Sequence, residues 1–310
     1  MAINVDALRD RYRGALLASA AGDALGATLE FLSREDVRER HGVLRDITGG
    51  GWLNLRPGEV TDDTQMACCI AHSIVDAGRF DADDVAERFV AWFRSNPPDI
   101  GNTTRHALAQ LDRGVPWREA GWQTHLALRP RDASNGSVMR AAPVALLARG
   151  DAGANARHSA DSSRITHANP LCVASCVALN AAIAALLDDP HADPVAAALD
   201  ATGHAEVRDS LAGVRSQAAE TLDASGYVLA TLQSALWAVT AHDNLEQAVI
   251  AAVNLGQDAD TTGAVAGALA GARWGLSAMP PRWLAVLDRQ EELIALADGL
   301  LALSLARRSD

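Results

Sequence analysis

About one residue in five is alanine, and the apolar positions around it recur at intervals of three and four rather than two. Alanine loses no side-chain freedom in a helix, and the three-four spacing gathers apolar residues on one helical face. Strand signals are sparse and aromatics make up only 4% of the chain, so the expected fold is all-α, with small side chains that let many helices pack closely. The pattern predicts helices over 6–22, 63–77, 83–94, 103–111, 137–149, 171–187, 194–200, 219–240, 245–255, 261–273 and 281–301. Pro97-Pro98 and the stretch 129–136 should interrupt helices, because proline lacks a backbone donor and restricts the residue before it. Segments 188–194 and 203–214 read as further connections, and Gly49 to Pro57 as a glycine-rich turn holding Trp52. No biased linker or fixed-period repeat divides the chain, so one domain over 1–310 is expected.

A net charge of -12, from 27 basic and 39 acidic side chains, opposes general binding to nucleic acid or anionic membrane. The opening residues include Asp6, Arg9, Asp10, Arg11 and Arg13, unlike a secretory leader, and no run reads as about 18 apolar residues, so no membrane span is expected. The four cysteines form no disulfide framework, and the expected setting is a reducing cytoplasm. Cys172 and Cys176 read as packed small hydrophobes rather than metal ligands.

Two acidic clusters stand out. Thr61-Asp62-Asp63-Thr64 directly precedes an apolar helical run, where Thr61 can cap backbone N–H groups and carboxylates favour the positive helix end. Asp258-Ala259-Asp260-Thr261-Thr262 repeats that chemistry before Gly263–Gly271, a small-residue helix suited to close approach. Taken singly, each is an ordinary helix start. Brought face to face, their carboxylates would be costly to bury without a counter-charge, and all-oxygen ligands suit Mg2+ or Mn2+. Glu30, after Gly22-Asp23-Ala24-Leu25-Gly26, either adds a carboxylate or is solvated beside Phe31; Asp23 reads as a buried residue organising a helix start.

Other polar clues are looser. Asp99 either caps a turn after Pro97-Pro98 or positions a water or an amine leaving group. Asn135-Gly136 before Ser137 signals a turn whose N–H groups can receive phosphate, as can those near Gly101. His167 either orients a carboxylate or ribose hydroxyl or is structural, and Tyr227 either covers a ligand's adenine or ribose or is a packed aromatic. There is no P-loop, no dinucleotide glycine fingerprint and no serine elbow, which lowers ATPase, Rossmann and α/β-hydrolase readings.

At these motifs the sequence resembles the ADP-ribosylglycohydrolases. The resemblance rests on Gly22-Asp23-Ala24-Leu25-Gly26-Ala27-Thr28-Leu29-Glu30-Phe31, Gly49-Gly50-Gly51-Trp52, Pro57-Gly58 and Thr61-Asp62-Asp63-Thr64. Asp99-Ile100-Gly101-Asn102-Thr103, Asn135-Gly136, Met139-Arg140, Ile165-Thr166-His167 and Asn254 through Gly263 follow in the same order, so the likeness spans about residues 12–290. It implies an all-α hydrolase with two divalent cations, Mg2+ or Mn2+, that cleaves the N-glycosidic link between ADP-ribose and a modified side chain, arginine by nearest likeness. Thr61, Asp62, Asp63, Asp258, Asp260 and Thr261 then match metal ligands, with Glu30 as the acid beside them and Asp99 as the acid at the water or leaving group. Gly101, Asn102, Asn135, Gly136, Ser137, His167 and Tyr227 match substrate-cleft segments. The implied partner is an ADP-ribosylated protein, with nitrogenase reductase suggested by the most similar bacterial subgroup, and ADP-ribose the product. Hydrolysis of free ADP-ribosyl or ribosyl compounds, and non-catalytic ADP-ribose binding, are the competing readings. The chain departs from the subgroup at Asn169, where a second histidine is usual, and at Gln257 and Ser134, where glycine is usual; all three are expected near the cleft.

Overall fold

Capping side chains set many of the helix starts in the computed structural model, which describes residues 4–307. Asn4 caps α1 (Val5–Gly26), Ser33 and Asp36 form a reciprocal capping box on α2 (Arg34–His41), Thr61 caps α3 (Asp62–Ala77), and Asp81 caps α4 (Ala82–Arg94). α5 (Asn102–Leu111) and α6 (Trp117–Leu128) begin without a side-chain cap, and α7 (Ala142–Leu147) takes Pro143 in its first turn. Asp151 caps α8 (Ala152–Arg164), Asn169 caps α9 (Pro170–Asp188), and Asp193 caps α10 (Pro194–Ala201). α11 (Ala205–Ala212), α12 (Val228–Ala241), α13 (Leu245–Val253), α14 (Ala259–Trp274), α15 (Pro281–Leu284) and α16 (Gln290–Ala306) complete the chain, and the described residues contain no strand.

The fold is all-α, as the alanine-rich periodicity predicts, but four expectations need correcting. The predicted helix 219–240 begins only at Val228: Asp223 accepts from Ser225 N and Oγ in a local turn, and the backbone of Tyr227 pairs with Ser134. The predicted 281–301 helix is two, because Arg289 turns left-handed at φ 61° and Asp288 N donates to Gly58 O. The predicted 137–149 helix shrinks to Ala142–Leu147. The supposed connection at 203–214 contains α11, which buries Val207 and Leu211 one turn apart. Polar helices α2, α6 and α8 were not foreseen, since each shows only a narrow apolar stripe. α9 corrects the membrane argument as well: it is long and apolar enough to cross one, with mean hydropathy 2.1. Here it packs against α7, α8, α10, α12 and α14, and its Asn180 is buried and hydrogen-bonded to Ala141 O and Ser159 Oγ.

The contact that positions the site is between α1 and α14. Gly14 meets Gly271, Ala18 meets Gly267, Gly22 meets Gly263 and Gly26 meets Ala259, so the helices run antiparallel along matched small residues four apart. A Cβ on Gly22 would lie 2.0 Å from Gly263 O, and one on Gly267 2.0 Å from Ala18 O. This backbone-to-backbone approach aligns the C-terminal end of α1 with the N-terminal end of α14. Gly267→Val is therefore expected to destabilise the fold by about 3 kcal/mol or more in urea unfolding. Gly203→Ala, where a Cβ meets nothing within 4 Å, should stay within about 0.5 kcal/mol.

Candidate active site

Asp23, fully buried near the end of α1, builds the site's frame. Its carboxylate accepts from Thr61 N and Oγ1 at 3.1 and 2.9 Å and from Thr64 N and Oγ1 at 3.2 and 2.5 Å, fastening the start of α3 to α1. Burial still raises its pKa to about 6, although these hydrogen bonds oppose the rise. This is the organising role read for Asp23 in the sequence.

With α1 holding α3 on one side and α14 on the other, the two acidic clusters meet. Thr261 Oγ1 lies 3.4 Å from Asp63 Oδ1, bridging segments almost two hundred residues apart. Glu30, Asp99 and Asp260 each offer an oxygen within 4.8 Å of the others, so the described residues contain an acidic cluster that could hold a metal ion. Burial, then neighbouring carboxylates, push Asp62, Asp63 and Asp260 well above the usual range. Burial likewise raises Asp99 and Asp258, and carries Glu30 to about 8 against the hydrogen bond from the Trp52 indole. Asp63 Oδ2 is buried with no partner.

These observations fit a divalent cation. The donors are all oxygen, they repel one another, and a buried acceptor is left over; the free cysteines lie outside the cluster. Arg140 is a buried positive charge that acts on Asp62, and burial lowers its pKa to about 10. It stacks on Phe89 at 4.5 Å and donates to Thr166 Oγ1 rather than to a carboxylate.

Above the cluster opens a cleft of about 410 Å³. Of the residues singled out in the sequence, Glu30, Asp62, Asp63, Asp99, Gly101, Asn102, Asn135, Gly136, His167, Asp258, Asp260 and Thr261 line it. Gly101 leads α5 into the wall with no side-chain cap, leaving that helix start's N–H groups for a ligand. His167 is neutral at ordinary pH, its pKa pushed well down by burial and then by Arg140.

Three expected residues stand apart from the lining. Ser137 is buried, its hydroxyl accepting from Ser163 Oγ and Cys176 Sγ, so it supports the wall from behind. Tyr227 is 40% exposed immediately before α12, beside Gly226, which does line the cleft. Thr61 caps α3 and commits its hydrogen to Asp23, so lone pairs are what it can offer a cation. Among the departures, only Ser134 reaches the cleft; Asn169 caps α9 and donates to Asp132, and Gln257 holds a left-handed turn at φ 58°.

The sequence reading missed Phe31, Trp52 and Arg131 in the lining. Phe31 and Trp52 sit 5.4 Å apart and are 68% and 51% exposed, the indole gripping Glu30. Trp52 stands in a glycine turn whose Gly51 lies against Ala27 O, a tertiary approach that brings the indole to Glu30 and that no local signal announces.

Fold and cleft together define a helical protein with a candidate site for metal-assisted hydrolysis. The chain belongs to the ADP-ribosylglycohydrolase family, whose sequence model matches residues 4–310. It is 35% identical to the ADP-ribosyl-[dinitrogen reductase] glycohydrolase of Rhodospirillum rubrum, over 96% of this chain and 97% of that one. It is 36% identical to the ADP-ribosylarginine hydrolase Tri1 of Serratia proteamaculans, over 94% and 79%. A solved ADP-ribosylglycohydrolase-related protein complex contains a chain that superposes with a TM-score of 0.82 at 36% identity, covering 96% of this chain and 99% of that one.

Proposed function

We propose that this chain hydrolyses the N-glycosidic bond between ADP-ribose and a protein arginine, using two divalent cations, Mg2+ or Mn2+. The observation that carries the reading is the meeting of the α3 and α14 carboxylates beneath an open polar cleft. The name of the Serratia proteamaculans relative supports the arginine linkage, and that of the Rhodospirillum rubrum relative makes dinitrogen reductase the first protein target to try.

Asp62, Asp63, Asp258 and Asp260 would hold the cations, with the hydroxyls of Thr61 and Thr261 completing the oxygen set beside Glu30. When bound, the cations supply Lewis-acid stabilisation and lower the pKa of water. The chain's own residues do the rest. N–H groups around Gly101 and Gly136 receive the diphosphate, fixing the ribose over the carboxylates. Glu30 and Asp99 line the same cleft, where one would take the proton of the attacking water and the other would support the departing guanidinium nitrogen. Trp52 holds Glu30 for that task.

Incubating the protein with an ADP-ribosylated proteome, with and without Mn2+, and reading modified sites by mass spectrometry tests the proposal. Metal-dependent loss of arginine sites with release of ADP-ribose is expected; loss confined to serine sites, or to free ADP-ribosyl compounds, would reject the linkage. Asp99→Asn is expected to lower kcat by about 10²- to 10⁴-fold. Most of the rise in Tm on adding Mn2+ should persist, and unchanged kcat would remove Asp99 from the mechanism.

A further inference from the structure

Arg140, Thr166 and His167 form a buried line from the core to the cleft, and its hydrogens can be counted. Arg140 Nη2 donates to Thr166 Oγ1 at 2.5 Å, and a guanidinium can only donate. The same hydroxyl lies 2.7 Å from His167 Nδ1. A threonine hydroxyl has one hydrogen; with Arg140 filling an acceptor position, that hydrogen is free to point at Nδ1. His167 Nδ1 is then the acceptor, and the ring's single hydrogen resides on Nε2. Nε2 lies 3.0 Å from Ser134 Oγ, which passes its own hydrogen to Thr103 Oγ1 at 3.1 Å. Every donor in the line has an acceptor in one direction only.

We propose that Arg140 is a positioning residue that fixes, through Thr166, the tautomer in which His167 presents an N–H to the cleft. Arg140 and Thr166 are fully buried, so no water competes for the relay, and stacking on Phe89 keeps the guanidinium in place. At the far end, a Cβ on Gly136 would come within 2.9 Å of the His167 ring, so the glycine lets the loop lie directly on the imidazole. With its only lone pair turned inward, His167 does not serve as a base; its one hydrogen, held at Ser134 Oγ on the cleft wall, is what it can give a substrate oxygen in exchange for that serine. The chemistry it selects is an acceptor-rich ligand, such as a diphosphate or a ribose hydroxyl oxygen.

Nitrogen-15 NMR of the imidazole tests the tautomer directly, and titration with ADP-ribose tests its use. Wild type should show a single Nε2–H form. Thr166→Val, which keeps the shape and removes the hydroxyl, should abolish the single tautomer and weaken ADP-ribose binding by about tenfold, and Thr166→Ser should restore both. Arg140→Met should also lose the single form, if it folds; the Thr166 pair decides the matter if it does not. An Nδ1–H form in wild type, or Thr166→Val with the wild-type tautomer and affinity, overturns the proposal. The affinity arm rests on the cleft's taking ADP-ribose: wild type that does not bind ADP-ribose faults that reading, while the NMR still decides this one.

Discussion

Asp62→Asn is expected to lower turnover by roughly 10²- to 10³-fold, yet to make the cation-free protein more stable by about 1 kcal/mol. The opposite signs follow from one arrangement. Asp62 is buried among Asp99, Asp23 and Asp258, and burial and those charges raise its pKa well above the carboxylate range. The neutral amide removes that repulsion while deleting a negative ligand. Asp260→Asn should behave the same way, since Asp63, Asp258 and Glu30 crowd it. Asp23→Asn should do the reverse to stability, because an amide oxygen cannot serve all the donors of Thr61 and Thr64. That loss is about 2 kcal/mol. Turnover assays alongside thermal melts in chelator separate the cases. If Asp62→Asn lowered both activity and cation-free stability, Asp62 would be a frame residue like Asp23 and not a ligand.

That distinction was partly legible in the sequence. Thr61-Asp62-Asp63-Thr64 announces a helix start, and its caps are visible because they are local. Their meeting with Asp258-Ala259-Asp260 depends on the glycine stripe of α1 and α14. Only the α14 half of that stripe, Gly263–Gly271, reads plainly as a surface for close approach. Gly14, Gly22 and Gly26 sit in an alanine-rich helix with small residues on several faces, and nothing local tells which helix they face. Trp52 and Arg140 were beyond the sequence for the same reason. The indole acts on Glu30 across a turn, and the guanidinium acts through Thr166, so each role exists only after packing. Tyr227 shows the converse: a helix pattern continued through it, but tertiary pairing with Ser134 ended the helix there.

Raising the pH of the cation-free protein from 5 to 8.5 is expected to lower its Tm by roughly 5–10 °C, equivalent to a loss of about 3 kcal/mol. The sign follows from the direction of the shifts. Asp23 and Glu30 rise from ordinary carboxylate values to about 6 and about 8, and Asp62, Asp63 and Asp260 rise as well. A carboxyl group whose folded pKa exceeds its unfolded value binds its proton more tightly in the native state. Its contribution is complete below the unfolded value near 4 and is lost as the pH climbs through the folded one. The native site must then shed protons into a space without counter-charge. Adding Mn2+ at about 1,000 times its Kd should restore about 4 kcal/mol at pH 8.5. At pH 5 the gain should be smaller, because protons compete for the same oxygens. Differential scanning calorimetry across pH, with chelator and with Mn2+, reads both trends. A cation-free Tm that rose from pH 5 to 8.5, or a Mn2+ effect largest at pH 5, would mean that the α3 and α14 carboxylates do not share one desolvated site.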